Sequence, residues 1–392
     1  MARRVYMDHA AGKPVAPEIL EVMMPYYTDK YGNPSSPHSW GNEARKAMED
    51  ARVKIVSLIA AKKPEEIFFT SGGTESNNLA IKGVAFRNKD RGNQIVATTA
   101  EHMSVMNPCK SLMKQGFAVT FVPVDKFGIV DLQALESAVT DKTTLVSIGY
   151  ANGEIGTIQP IGGIAEIVHR KGASLHMDAV AAAGQVPINV QGENIDLMSI
   201  SSNDMYGPRG MGALYIKTGT RIEPIIQGGG QERGLRSGTE NIPAIVGMGK
   251  AAEIAKAEMK TEGQRLSQLR DQLVKRILES VPASFLNGHP TQRLPNNASL
   301  RFSYVEGESL ILSLDMLGIA CSSGSACTSK TLEPSHILLA IGLKHEEAHG
   351  SLMFTLGRHN TEEDVDYAAS LMPDIVKRLR GMSPLTPKEL KT

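Results

Sequence analysis

Hydrophobic and polar positions alternate along residues 16–260 in two rhythms. Short apolar runs rich in strand formers recur at Ile67–Thr70, Gln94–Thr99, Phe117–Val122, Thr144–Gly149, Ser174–Met177, Leu197–Ile200 and Ala213–Ile216. Between several of them lie stretches with helical spacing, such as Thr74–Arg91, Leu132–Val139 and Ile161–Lys171. A strand–helix–strand rhythm predicts a mostly parallel sheet covered by helices on both faces. Ligands of such sheets sit beyond the carboxyl ends of the strands, so the chemistry is expected just after the apolar runs.

The pattern changes near Ile242. A long stretch rich in Ala, Glu and Lys runs to about Val281 and predicts an extended helix bridging two domains. Alternation then resumes: a strand over Ala298–Phe302, a helix over Glu308–Leu317, a loop over Ser322–Leu332, a helix over Pro334–Ile341, a strand over Leu352–Leu356 and a helix over Glu362–Arg380. The expected organisation is a large α/β domain over 16–260. A smaller α+β domain takes 1–15 with 261–380 and carries a thiol-bearing loop at 321–332, and a loose polar tail follows at 381–392.

Composition narrows the function classes. Lys plus Arg and Asp plus Glu both number 42 among 392 residues, so the basic excess of a nucleic-acid binder is missing. Hydrophobic residues at 41% and charged residues at 21% are too balanced for disorder. No apolar run approaches the ~18 residues of a membrane span, and residues 1–15 lack a secretory apolar region, so a cytoplasmic protein is expected. The three cysteines, Cys109, Cys321 and Cys327, are too few and too odd in number for a disulfide framework. Any special cysteine would act through reactivity or metal binding.

Five stretches carry candidate chemistry, each with a plainer alternative. Phe69-Thr-Ser-Gly-Gly-Thr-Glu-Ser76 follows a strand and opens a helix. Its free N–H groups, with Gly73 and the Thr74 hydroxyl, suit an anion, although an N-cap and turn would also account for it. His102, again after a strand, could stack on a planar cofactor, move protons, or be hydrogen-bonded structure. Asp178 ends an apolar strand, where a carboxylate can keep a ring N–H protonated or merely cap the next segment. The glycine-rich stretch Gly228–Thr239, with Arg233 and Arg236, is either a cationic phosphate-reaching loop or a connector. Cys321-Ser-Ser-Gly-Ser-Ala-Cys327 reads as an exposed loop with a reachable thiol at Cys327, Cys321 being the structural one.

In this order and spacing, the chain resembles cysteine desulfurases of the NifS and IscS type from end to end. Matching stretches include Tyr6-Met-Asp-His-Ala-Ala, Gly32-Asn-Pro-Ser-Ser-Pro-His38, Ser71-Gly-Gly-Thr-Glu-Ser-Asn-Asn-Leu-Ala80, Tyr206-Gly-Pro-Arg-Gly-Met-Gly-Ala-Leu-Tyr215, Arg233-Gly-Leu-Arg-Ser-Gly-Thr239, Ser322-Ser-Gly-Ser-Ala-Cys327-Thr-Ser329 and Leu356-Gly-Arg358. The resemblance implies a fold-type I pyridoxal-phosphate (PLP) protein, α/β in class, with a mostly parallel seven-stranded sheet, a smaller α+β domain and a homodimeric state. It also implies a phosphate cradle on Gly73, Thr74 and Ser201, with Thr239 given by the partner subunit. It places the stacking histidine on His102, the pyridinium partner on Asp178, ring contacts on Asn152, and the substrate carboxylate on Arg358 with Asn33. The persulfide-forming nucleophile falls on Cys327, with free cysteine as substrate and an iron–sulfur scaffold of the IscU type as sulfur acceptor.

The departures are concentrated at one end of that site. The family's Ser-x-His-Lys-x-Tyr-Gly-Pro stands here as Ser201-Ser-Asn203-Asp204-Met-Tyr206-Gly-Pro208, so Asp204 occupies the position of the Schiff-base lysine. Along the chain the next lysine is Lys217. Gly153 replaces a second asparagine and Ala181 a glutamine. The expectation is weak or absent desulfuration, with pyridoxal or pyridoxamine phosphate held noncovalently. Cys327 would carry sulfur, or lend one ligand to a [2Fe-2S] cluster shared with the scaffold. An active desulfurase using noncovalent PLP is the competing reading. A different fold-type I enzyme, such as an aminotransferase or a selenocysteine lyase, meets the same objection at Asp204.

Overall fold

The computed structural model describes residues 3–324 and 334–390. In chain order its strands are β1 (Val5–Tyr6), β2 (Ile67–Thr70), β3 (Gln94–Thr98), β4 (Ala118–Val122), β5 (Thr143–Gly149), β6 (Ser174–Asp178), β7 (Leu197–Ser201), β8 (Gly212–Ile216), β9 (Ser284–Leu286), β10 (Asn297–Phe302), β11 (Ile319–Ala320) and β12 (Ser351–Thr355). Seven of them form one sheet in the order β2-β8-β7-β6-β5-β3-β4. Its neighbours are parallel except at β8, which runs antiparallel to both β2 and β7. The fold is therefore the fold-type I architecture, α/β with a seven-stranded, mostly parallel sheet. Strands β7 and β8 are buried at every position, as expected of strands covered on both faces. Edge strand β4 is partly exposed.

The covering helices begin where the polar side chains stop them. Asp131 accepts from the N–H groups of Gln133 and Ala134 and starts the helix Leu132–Ala138. Asn241 does the same for the 39-residue helix Ile242–Ser280 by accepting from Ala244. The first half of that helix buries Ile245, Met248, Ala251 and Ala252 in the core beside the large sheet. Its second half buries Leu266, Leu269, Leu273 and Ile277 in a separate core with Leu300, Phe302, Leu352 and Phe354. One helix thus belongs to two cores, which is why its sequence carries apolar positions along its whole length.

The second core is built on the antiparallel sheet β12-β10-β9. The chain's first residues join it, because β1 pairs in parallel with β11 and Val5 and Met7 are buried there. Strands of two or three residues, such as β1, β9 and β11, have no alternation to read in sequence. The helix Glu362–Met382 closes this part, and Lys388–Leu390 adds one short turn. No described helix is long and apolar enough to cross a membrane.

Candidate functional site

The ends of β2, β6 and β7 deliver the candidate residues to one edge of the sheet. After β2 the chain turns through Gly72, whose φ of +147° suits glycine, into the helix Gly73–Arg87. Gly212 at the start of β8 must also lack a side chain, since a Cβ there would lie 2.6 Å from the Gly72 Cα. The first N–H groups of any helix have no partner inside it, so Gly73 and Thr74 present donors together with the exposed Thr74 hydroxyl. Glu75 braces the turn: it accepts from the Ser71 N–H at 2.9 Å and from Arg236 Nε at 2.9 Å. Burial works against its ionisation, but the hydrogen bonds from Arg236 and Ser71 prevail and hold its carboxyl below the ordinary range. The glycine-rich loop is thereby tied to the first turn of this helix. Thr239 lies exposed three residues beyond Arg236.

Asp178 at the end of β6 heads a chain of polar contacts that sequence reasoning did not anticipate. Its Oδ2 accepts from Asn77 Nδ2 at 2.7 Å and its Oδ1 from the Val180 N–H at 3.1 Å. Asn77 Nδ2 also reaches Ser104 Oγ at 2.7 Å, and Ser104 Oγ meets His102 Nδ1 at 2.7 Å. Three elements therefore fix the orientation of both Asp178 and His102. Burial raises the Asp178 carboxyl above its usual range, with His102, Val180 and Asn77 opposing. The signal for Asn77 was its place one helical turn beyond Thr74 on the buried face.

Asp204 lies in the short turn Asn203–Met205 after β7. Burial lifts its carboxyl to about 6, while the charge of Lys13 and a hydrogen bond with Ser201 act in the opposite direction and Asp178 adds to the rise. The nearest lysine in space is not the nearest in sequence. Lys13 is buried, its Nζ donates to the Asp204 carbonyl at 2.6 Å, and it lies 5.0 Å from the Tyr206 ring centroid. Arg358 approaches the same ring, with Cζ 4.8 Å from its centroid, and its backbone N–H donates to the Tyr206 hydroxyl at 2.8 Å. Its guanidinium is paired with Glu258 at 2.7 Å and Glu18 at 3.3 Å. A cavity of about 40 Å³ opens here, lined in part by Lys13, Asp204, Tyr206, Glu262 and Arg358.

Other expected residues are placed differently. Asn152 spends its carboxamide inside the protein: Nδ2 donates to the Ala100 carbonyl at 2.9 Å, and Oδ1 accepts from Glu154 and Ile155. Asn33 is exposed and accepts from the Ser35 N–H. Among the described residues no hydrogen bond links it to Arg358. The two altered positions Gly153 and Ala181 are neighbours, since a Cβ on Gly153 would lie 3.4 Å from the Ala181 Cβ. Two separate departures in sequence thus strip one spot in space.

Cys327 falls outside the described residues, but the flanks of its loop are defined. A Cβ on Gly324 would come within 2.5 Å of Glu154 Cγ. Burial raises the Glu154 carboxyl to about 7, with Ser335 on the far side of the loop acting in the opposite direction. Cys321 and Cys109 are buried, and burial pushes each thiol up to about 12, far from reactive at neutral pH. No group of three or more His, Cys, Asp or Glu among the described residues is arranged to hold a metal ion.

The fold and this sheet-edge site define a class: the aminotransferase class-V family pattern matches residues 5–368. A cysteine desulfurase IscS of Archaeoglobus fulgidus is 56% identical over 380 residues, covering 97% of this chain and 99% of that one. A cysteine desulfurase IscS of Methanosarcina thermophila is 52% identical over 390 residues, covering 100% of this chain and 96% of its own. A solved NifS-like protein superimposes with a TM-score of 0.90 at 39% identity, over 96% of this chain and 100% of its own. The chain belongs to the IscS/NifS family of cysteine desulfurases within the class-V aminotransferases.

Proposed function

We propose that this protein is a sulfur-handling member of iron–sulfur cluster assembly whose own cleavage of cysteine is weak or absent. The observation that carries the reading is Asp204: a partly buried carboxylate stands where the resemblance calls for a lysine. A carboxylate cannot form a Schiff base. It also cannot act as the positioned amine that moves the α-proton, and losing such a group costs about 10²–10⁴-fold in rate.

The remaining residues fit pyridoxal or pyridoxamine phosphate held without a covalent bond. When bound, that cofactor supplies an electron sink for chemistry at the α-carbon of an amino acid. The N–H groups and hydroxyl at the start of the helix Gly73–Arg87 suit its phosphate. Asp178, oriented by Asn77 and Val180, suits a protonated ring nitrogen. His102, fixed at Nδ1 by Ser104, leaves its exposed ring for stacking. The Asp204 carboxylate accepts from an ammonium and so favours the amine-bearing form. Arg358 serves a substrate carboxylate only by exchanging Glu18 and Glu258 for it. Thr239 belongs to the phosphate site of a partner subunit in a homodimer.

In this reading the Cys327 thiolate takes a sulfane sulfur from a donor persulfide, whose own thiolate leaves, and carries it toward a scaffold of the IscU type, or it supplies one ligand to a nascent [2Fe-2S] cluster there. The test is direct. Purified protein with cysteine and added PLP should release little alanine, and borohydride reduction should leave no lysine adduct detectable by mass spectrometry. Cys327→Ala should lower cluster assembly on the scaffold. Alanine formation at the rate of an active desulfurase would instead establish the noncovalent enzyme.

A further inference from the structure

Folding brings an amine to the residue where the family's lysine is replaced. Lys13 arrives from the N-terminal segment, far from Asp204 in sequence, and its Nζ donates to the Asp204 carbonyl at 2.6 Å. Its backbone N–H reaches Asn203 Oδ1 at 3.4 Å, as does Arg209 Nε. Lys13 thus grips the turn that carries Asp204 at two places, once through its side chain and once through its backbone. We propose that Lys13 is the positioning residue and counter-charge of Asp204, so that positions 13 and 204 work as one ionic unit. This deepens the preceding reading and rests on it for the role of Asp204.

Lys13 is only 6% exposed, and besides one carbonyl it faces the ring of Tyr206. An ammonium withdrawn from water costs several kcal/mol unless opposite charge lies close by. Its negative neighbours are Asp204 and Glu262, while Arg358 repels it. His9, buried nearby, is kept from protonating by its own burial first and then by Lys13. Lys13 and Asp204 line the same small cavity, and the ammonium seated on the Asp204 carbonyl is the cation that opposes the burial of its carboxyl. Each charge is therefore placed where the other offsets its desolvation.

One consequence separates this pairing from chance proximity. A lysine restored at 204 would put two ammonium groups in one buried pocket while Lys13 remains. A neutral side chain at 13 should relieve that conflict.

The experiment is a double-mutant cycle on the full chain, read by urea unfolding, with Lys13→Met, Asp204→Lys and the double variant. The expected result is that the double variant is more stable than the sum of the two single effects allows, by about tenfold in its unfolding constant, a coupling typical of contacting residues. Additive effects would overturn the pairing. Carboxyl-carbon NMR then reads the midpoint at which Asp204 titrates; should Lys13→Met fail to fold, Lys13→Gln is read in its place with the same shift expected. In Lys13→Met, where folded, that midpoint should move to higher pH, and an unmoved midpoint overturns the proposal. Neither readout depends on turnover. Rapid alanine release by the wild type would therefore sink the preceding reading while leaving the coupling to be judged on its own result.

Discussion

Arg52 Nη2 and Glu232 Oε1 meet at 2.7 Å, with side chains 1% and 2% exposed. The pair is more than an ion contact. Arg52 Nη1 donates to the Ile67 carbonyl and Glu232 Oε2 accepts from the Phe69 N–H at 2.7 Å, so both residues clamp β2. Glu232 and Arg233 both have positive φ, 46° and 54°, a conformation that side-chain-bearing residues adopt only when held. The buried pair holds the glycine-rich loop in that shape. Breaking the pair leaves the buried Arg52 with only the half-exposed Glu49 at 3.2 Å as its counter-charge, so Glu232→Gln should lower the unfolding free energy by about 3 kcal/mol in denaturant titrations. The double variant Arg52→Met with Glu232→Leu should lose less than the single one.

Thr74 offers an exposed hydroxyl in the first turn of the helix Gly73–Arg87, where the Ser76 hydroxyl is buried against Thr70. A hydrogen bond to a charged group contributes about 1.5–3 kcal/mol. Thr74→Val should therefore weaken binding of pyridoxamine phosphate, measured by fluorescence titration, by roughly ten- to a hundredfold. The same variant should unfold at nearly the wild-type denaturant concentration, because the hydroxyl is exposed. Unchanged affinity would remove Thr74 from the phosphate site.

Glu101 is buried, and burial raises its carboxyl to about 8 against the hydrogen bond from Thr98 Oγ1 at 2.6 Å. In the unfolded chain a glutamate loses its proton near its ordinary value of about 4.3. Between those values the folded state holds one more proton, so stability falls as pH rises, by up to about 1.4 kcal/mol per pH unit. Glu154, raised to about 7, contributes with the same sign over the lower part of that window. Glu101→Gln keeps a neutral hydrogen-bonding group. It should flatten the dependence of thermal stability on pH and leave the variant more stable than wild type above pH ~8. An unchanged slope would show that Glu101 is ionised in the folded protein.

Gly324 combines a φ of +76° with a Cβ position 2.5 Å from Glu154 Cγ. Gly324→Ala should destabilise the protein by about 1–3 kcal/mol. Adding Glu154→Ala removes the steric part but not the backbone part, so it should recover some of that loss in thermal denaturation. Full recovery would mean that the backbone carries no strain.

Strand periodicity, read along the chain, determined the architecture. Runs such as Thr144–Gly149 and Leu197–Ile200 are apolar on both faces because parallel strands are covered on both sides, and that requirement is written locally. Motifs that follow a strand directly, at Thr74, Asp178 and Asp204, were legible for the same reason, since the sheet edge orders them. Tertiary structure alone decided which side chains complete each group. Asn77 and Ser104 join Asp178 to His102 across two helices, Gly153 proves to face Ala181, and Lys13 crosses the molecule to reach Asp204. Such contacts arise where buried polar groups must find partners, and the partner is set by the packing of distant elements rather than by spacing in the chain.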